Sequence, residues 1–129
     1  MTIVEEIAAR RIPAVIIRET DTVIAFMDHD PINLGHVLIC PKKPFRNFID
    51  VPNEVMEAVL EMARDIYKSM TNKFAPDGIS FIQCNGEFND LEHFHLHIFP
   101  RHKGDNFSWT CANIGQQTQE QLAETAKGL

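Results

Sequence analysis

The sequence predicts an α+β domain: about five strands in a mainly antiparallel sheet, one long helix, and a short helix at the N-terminus. Three observations carry that expectation. Between Asp50 and Phe74 the residues Val55, Val59, Met62, Ile66, Met70 and Phe74 recur at helical intervals, so one face of a long helix is apolar. On both sides of that stretch lie short β-rich runs joined by polar turns, the arrangement of hairpins around a shared core. The segment HFHLHIFPR, residues 93–101, alternates polar and apolar residues, which is the period of a strand.

Taken in order, TIVEEIAAR reads as the short first helix, and Pro13 marks its exit because proline cannot continue a helix. AVIIRET and TVIAFMD are strand-forming runs separated by polar Glu19-Thr20-Asp21, a hairpin. HDPINLG has turn chemistry, and HVLICP after it reads as a short buried strand. The signals in DVPNE begin the long helix. Besides its main stripe that helix carries Met56, Leu60, Ala63 and Tyr67, an apolar arc wider than one sheet face requires. A second packing surface is therefore expected. A symmetric pair of chains would supply it, and the alternative is that the segment after Trp109 folds back over the arc. ISFIQCN and HFHLHIFP are the last two strands, joined by the polar loop GEFNDLE. QQTQEQLAETAKG suggests a terminal helix with Gly128 as its stop.

A length of 129 residues fits one domain, 1–129, with a sizeable core. The formal net charge of −6 argues against a nucleic-acid polymer as partner, which needs a basic face, but leaves room for one small nucleotide held by local groups. Cys40, Cys84 and Cys111 are odd in number and widely spaced, so neither a disulfide framework nor a CxxC zinc motif is expected, and a reducing, cytoplasmic location follows as the default. No apolar run approaches the roughly 20 residues that span a bilayer, and MTIVEEIAAR lacks the basic start and apolar core of a secretory signal, so no membrane partner is expected.

The chain has six histidines and places three of them in five residues. On a strand, His93, His95 and His97 share one face about 6.6 Å apart, while Phe94, Leu96 and Ile98 share the other and pack on the core. Such a row could be ordinary surface or hydrogen-bonded histidines. It could also be a metal site, although the outer two lie about 13 Å apart and an ion would need ligands from elsewhere. A catalytic row is the third reading.

HFHLHIFPR, preceded in order by RRIPAVIIRETDTVIAF and AFMDHDPINLGHVLICPKK, resembles the histidine triad (HIT) superfamily of nucleotide hydrolases and transferases, whose signature is His-x-His-x-His-x-x with apolar x. The resemblance covers about residues 3–103 and leaves 104–129 as a C-terminal tail. It implies a HIT-like fold and a nucleotide hydrolase cleaving at the α-phosphate of a nucleoside phosphoramidate or dinucleoside polyphosphate through a nucleotidyl-histidine intermediate. The alternative is a nucleotide-binding regulatory module with little turnover. His95 matches the nucleophile, its other nitrogen pinned by a backbone carbonyl near the first histidine. His93 and His97 would offer N–H groups to the phosphate oxygens, and His36 matches the fourth histidine, which orients the first. Asp28 matches the ribose-binding carboxylate, Phe26, His29 and Ile12 the base pocket, and Asn85 an asparagine that contacts phosphate or ribose. Family members commonly form homodimers with the long helices at the interface, so a homodimer is implied.

Two departures stand out. Relatives often carry Cys-x-x-Cys and a later histidine for structural zinc where this chain has Thr2, Glu5 and Pro44, so no metal and no cofactor are expected. Before the triad, where relatives carry a Gly-Gln-Ser type sequence that touches phosphate, this chain has NDLEH. Asp90 and Glu92 would weaken binding of an anionic substrate unless they turn outward or meet Arg101 and Lys103.

Overall fold

The computed structural model describes residues 1–129. Five strands, β1 (Ile16–Glu19), β2 (Val23–Met27), β3 (Val37–Pro41), β4 (Gly78–Ile82) and β5 (Leu96–Arg101), form one sheet in the order β1-β2-β3-β5-β4. Every neighbouring pair is antiparallel. The helices are α1 (Ile3–Ala8), α2 (Asn53–Phe74) and α3 (Gln119–Ala126). This is the α+β architecture that the strand runs and the helical stripe predict.

Strand alternation gives the sheet two different faces. Val23, Ala25, Val37, Ile39 and Ile98 point to one, where they pack with Val59, Met62, Ala63, Ile66 and Met70 of α2 and with Phe94. Ile24, Phe26, Leu38 and Cys40 point to the other and pack with Val4 and Ile7 of α1. His97 lies opposite Leu38 in the ladder, so it belongs to the α1 face. Each of these buried aliphatics contributes about 1.5–3 kcal/mol by leaving water, which explains why two short layers of helix suffice to hold a five-stranded sheet.

The sequence pattern extends the last strand to His93, but the ladder stops at Leu96. Continuing the β3–β5 register would set Pro41 against Phe94, and a proline has no N–H to give to a ladder. The Phe94 N–H instead donates to the carbonyl of Phe45, at 2.6 Å. His93 to His95 thus lie outside the ladder, with a bend at His93 and no backbone pairing to β3. Their rings do not form a simple row.

Two local devices hold the histidines' neighbourhood. Thr2 caps α1 in a reciprocal box: its hydroxyl accepts from the Glu5 N–H at 3.2 Å, and its own N–H donates to the Glu5 carboxylate at 2.8 Å. Gly35 has φ +97°, and a Cβ there would stand 2.6 Å from the Phe74 ring at the end of α2. Glycine lets this turn close on the helix, and His36 follows it directly.

The tail does not cover α2. From Ser108 onward every residue is exposed, α3 buries no residue, and Leu60 and Tyr67 on α2 are 47% and 45% exposed. Folding back within one chain is therefore not what covers the wide apolar arc. No helix is long and apolar enough to cross a membrane.

Candidate active site

The histidines stand where the start of β5, the start of β3 and the N-terminus of α1 meet. His36, His93 and His95 are almost fully buried, at 2%, 0% and 1% exposure. Buried polar groups need partners, and here the partners fix which nitrogen carries each proton.

His95 Nδ1 lies 2.8 Å from the carbonyl of His93. A carbonyl only accepts, so Nδ1 holds a proton, and in the neutral ring Nε2 is then the nitrogen with the lone pair. His93 Nε2 lies 2.7 Å from the carbonyl of Pro41 and is likewise the protonated nitrogen, while its Nδ1 accepts from the Thr2 hydroxyl at 2.8 Å. Thr2 can donate there because its lone pair already takes the Glu5 N–H. The Ile32 N–H donates to His36 Nδ1 at 3.0 Å, which places the His36 proton on Nε2, and that proton is donated to His97 Nδ1 at 2.8 Å. The proton of neutral His97 therefore sits on Nε2.

Burial holds His36, His93 and His97 below the usual imidazole value, His97 at about 4, because the charged form is poorly solvated there. Neighbouring His95 adds to the depression at His97, while Asp28 and Asp90 oppose it weakly. At neutral pH these three rings are uncharged donors and acceptors. The sign for stability follows: below pH about 6.5 the unfolded chain takes up protons that the folded chain refuses. The melting temperature should thus fall as pH drops from 7 towards 4, and His97→Gln should flatten that slope. The low-lying carboxylates Glu19 and Asp105 act only below about pH 4.5, in a separate window. A melting temperature flat from pH 7 to 4.5 would contradict the neutral network.

Beside the rings lies a cavity of about 280 Å³ walled by Phe26, Asp28, His29, Asp90, His95 and His97, with Ile3, Ile7 and Leu38 among its apolar residues. It shares Phe26, His29, Ile3 and Ile7 with a more apolar hollow of about 570 Å³ that also takes in Ile12 and Pro13. The fold therefore brings together Ile12, Phe26, Asp28, His29, His36, His95 and His97. One Asp28 oxygen stands 3.6 Å from His36 Nε2, and the other accepts the Asp30 N–H at 2.9 Å, which holds the carboxylate at the mouth of the β2–β3 turn.

Three expectations are corrected by this geometry. His36 bonds the third triad histidine, His97, and not the first, because β3 pairs directly with β5 at Leu38 and His97. His93 offers no N–H to a ligand, since it is fully buried with both nitrogens engaged, and its contribution is the carbonyl that fixes His95. Asn85 is not part of the cavity. Its Oδ1 accepts from the Phe48 N–H at 2.7 Å, its Nδ2 donates to Gln83 at 2.8 Å, and it ties two loops together around a separate shallow hollow.

Glu92 does turn outward, its carboxylate 3.6 Å from Arg46. Asp90 does not: its carboxylate stands 3.5 Å from His95 Nε2, while Arg101 is taken by Asp105 at 2.7 Å. The sequence reading missed Thr2 as a partner of His93. Its Thr-x-x-Glu capping signal was visible, but not the contact 91 residues away.

For a cation, Asp28, His36 and His97 bring one carboxylate oxygen and two ring nitrogens within 4.8 Å of one another. An ion there would have to open the 2.8 Å His36–His97 hydrogen bond. Thr2 and Glu5 are occupied in the helix cap.

A five-stranded sheet with a buried, tautomer-fixed histidine network beside a partly apolar cavity defines a histidine-based small-ligand site. The HIT domain model matches residues 9–104, and the chain belongs to that family. It is 32% identical over 120 residues to an uncharacterised HIT-like protein of Methanocaldococcus jannaschii, covering 92% of this chain and 90% of that one. A crystal structure of a HIT family member from Bacillus subtilis superposes with a TM-score of 0.84 at 28% identity, over 96% of this chain and 91% of that one. A HIT-like protein involved in cell-cycle regulation from Bartonella henselae, solved with an unknown ligand, gives a TM-score of 0.76 at 37% identity, over 80% and 81% of the two chains.

Proposed function

We propose that this protein is a nucleotide hydrolase or transferase acting at the α-phosphate of a nucleoside phosphoramidate or dinucleoside polyphosphate through a nucleotidyl-His95 intermediate. One observation carries the reading: the His95 Nδ1 proton is held by the His93 carbonyl, which leaves Nε2, the lone-pair nitrogen of the neutral ring, on the cavity side. A neutral imidazole nitrogen so fixed is a competent nucleophile towards phosphorus near neutral pH. In the first step the Nε2 lone pair forms the N–P bond, and the leaving group departs with the electrons of the bond it loses and takes a proton from water. In the second, water attacks the phosphorus, Nε2 recovers its lone pair, and the surplus proton returns to solvent. His97 Nε2–H is the donor placed to bind a phosphate oxygen as charge builds. Asp28 would accept from the ribose hydroxyls, and Phe26, His29 and Ile12 would enclose the base.

The cytoplasm is the compartment that goes with this reading and with three unpaired cysteines. The deciding experiment is a panel of adenosine and guanosine phosphoramidates and dinucleoside polyphosphates with product analysis. Release of a nucleoside monophosphate supports the reading. Tight nucleotide binding without release would support a regulatory module instead, a reading favoured by one fact: His95 is 1% exposed and Asp90 stands over its reactive nitrogen.

The same proposal includes a homodimer formed through α2. Leu60 and Tyr67 are left open on the helix, Phe81 of β4 stacks on Tyr67 with ring centroids 6.5 Å apart, and the tail leaves the arc uncovered. Light scattering at micromolar concentration should give about twice the 14.7 kDa chain mass. Leu60→Glu should yield folded monomers, because an unpaired charge would be buried at the interface. A wild-type mass near one chain, or a dimer undisturbed by Leu60→Glu, would remove α2 as the contact.

A further inference from the structure

The walls of the cavity carry an unusual balance of charge for a site proposed to bind phosphate. Three carboxylates, Asp28, Asp30 and Asp90, line it, and no lysine or arginine does. Several neighbouring basic side chains are paired with other carboxylates. Arg46 meets Glu92, Arg101 meets Asp105, and Lys42 and Arg10 both meet Glu19. His97, on the wall, is held neutral by burial and so brings a hydrogen-bond donor and no charge.

Asp90 has the most consequential position of the three. Its oxygen is 3.5 Å from His95 Nε2, and its side chain is 80% exposed on the loop that leads into the triad. A phosphorus under attack stands about 3–3.5 Å from the nucleophile. Asp90 must therefore move aside to admit it, yet cannot go far, because the next residues fix the loop. Leu91 packs into the α1-side core, and Glu92 sits in the left-handed region with φ 52°. A carboxylate so tethered stays on the cavity wall, where a charged substituent carried along that wall from the leaving atom would meet it. An uncompensated negative charge there repels a leaving group that is itself a polyanion and attracts one that carries a positive charge.

We propose that Asp90 makes this cavity select nucleotides whose leaving group is a cationic amine over nucleotides that leave as polyphosphate. The inference rests on the nucleotidyl-His95 reading and deepens it, because it chooses between the two substrate classes that reading leaves open. The charge sits on the leaving substituent, away from the bond that breaks. The amine nitrogen departs with the P–N electron pair and takes a proton from water, and the distal cation stays charged and paired with Asp90 throughout.

The test uses the full-length protein and phosphoramidates of adenosine and guanosine whose leaving amines have equal length and similar basicity. One of each pair ends in a trimethylammonium group and the other in a carboxylate, and diadenosine and diguanosine tetraphosphates complete the set. Release of the nucleoside monophosphate gives kcat/KM. The wild type should prefer the cationic over the anionic leaving group by about tenfold or more, and the preference should shrink with added salt. Asp90→Asn should bring the ratio to within about threefold of unity, and Asp90→Lys should invert it. The ratio is internal to each variant, so a general loss of activity does not mimic the effect. A wild-type ratio near one, or a ratio that survives Asp90→Asn, overturns the role of Asp90 while leaving the hydrolase reading intact. Magnesium-dependent cleavage of the tetraphosphates faster than of the cationic phosphoramidates overturns it too, since Asp90 would then be serving a bridging cation. No monophosphate from any substrate overturns both.

Discussion

His95→Ala is expected to lower turnover about 10³-fold or more while nucleotide affinity stays within about tenfold. The two effects separate because they rest on different groups. Bond-making needs the Nε2 lone pair, and neither other triad ring can supply it in place: His93 is engaged at both nitrogens, and His97 Nδ1 already accepts from His36. Binding rests on the walls formed by Phe26, His29 and Asp28 and on the apolar hollow around Ile12. The substitution also strips the His93 carbonyl of its partner. His95→Asn is the companion variant, because its amide can donate to that carbonyl but cannot form a nucleotidyl intermediate. Both should be equally inactive. More than a few per cent of wild-type turnover in either would sink the assignment of His95, and a loss of affinity in step with turnover would mean that the imidazole mainly binds.

Much of the fold was legible because it depends on local pattern. The α2 stripe and the β1–β2 hairpin follow from residue periodicity and turn chemistry within windows of a dozen residues. The site was legible by halves. The alternation of residues 93–98 correctly puts Phe94, Leu96 and Ile98 together on a core-packed side, and the structure shows that side to be the one under α2. It does not reveal that the strand ends short of the first two histidines, because that depends on Pro41 meeting Phe94 across the sheet. The hydrogen bonds that set the tautomers of His93 and His97 join residues 52, 61 and 91 positions apart, and no sequence period encodes such pairs.

The misplacement of Asn85 has a plainer cause. Asn-Gly reads as a turn pair, but this asparagine's side chain is taken up by Gln83 beside it and by the Phe48 N–H 37 positions away, a contact that local sequence does not reveal. The sequence shows Asp90 as a negative charge close to an expected anion site, with turning outward as one way to relieve it. Leu91 packing against the core and the left-handed turn at Glu92 fix the backbone beside it, and the exposed side chain holds its carboxylate 3.5 Å from His95 Nε2. Departures of charge at a ligand site are thus readable as signals from sequence, but their sense needs the packing of the neighbours.

Phe94→Ala should be among the most destabilising single changes and should damage the site from behind. Phe94 is 2% exposed and packs with α2 residues on the far side of the sheet from the histidines. Emptying such a position costs about 3–5 kcal/mol through lost burial and the cavity left behind. For a domain of this size that is a fall in melting temperature on the order of 10–20 °C. The consequence for function comes from where the ladder stops. Between Pro41 and Leu96 the chain is held by the Phe94 N–H to Phe45, by the Phe94 ring, and by the His93 contacts to Pro41 and Thr2. Loosening the ring frees the His93 carbonyl to drift, and with it the proton that fixes the His95 tautomer. Turnover should therefore drop well below what the folded fraction accounts for, even at temperatures where the variant remains folded. Ile49→Ala, at a residue 88% exposed, is the control and should stay within about 0.5 kcal/mol of the wild type. Denaturant unfolding together with activity per folded molecule checks both parts. A Phe94→Ala variant within 1 kcal/mol of wild type would show that this ring is not a keystone of the core, and full activity per folded molecule would show that His95 is held by something other than the segment Phe94 anchors.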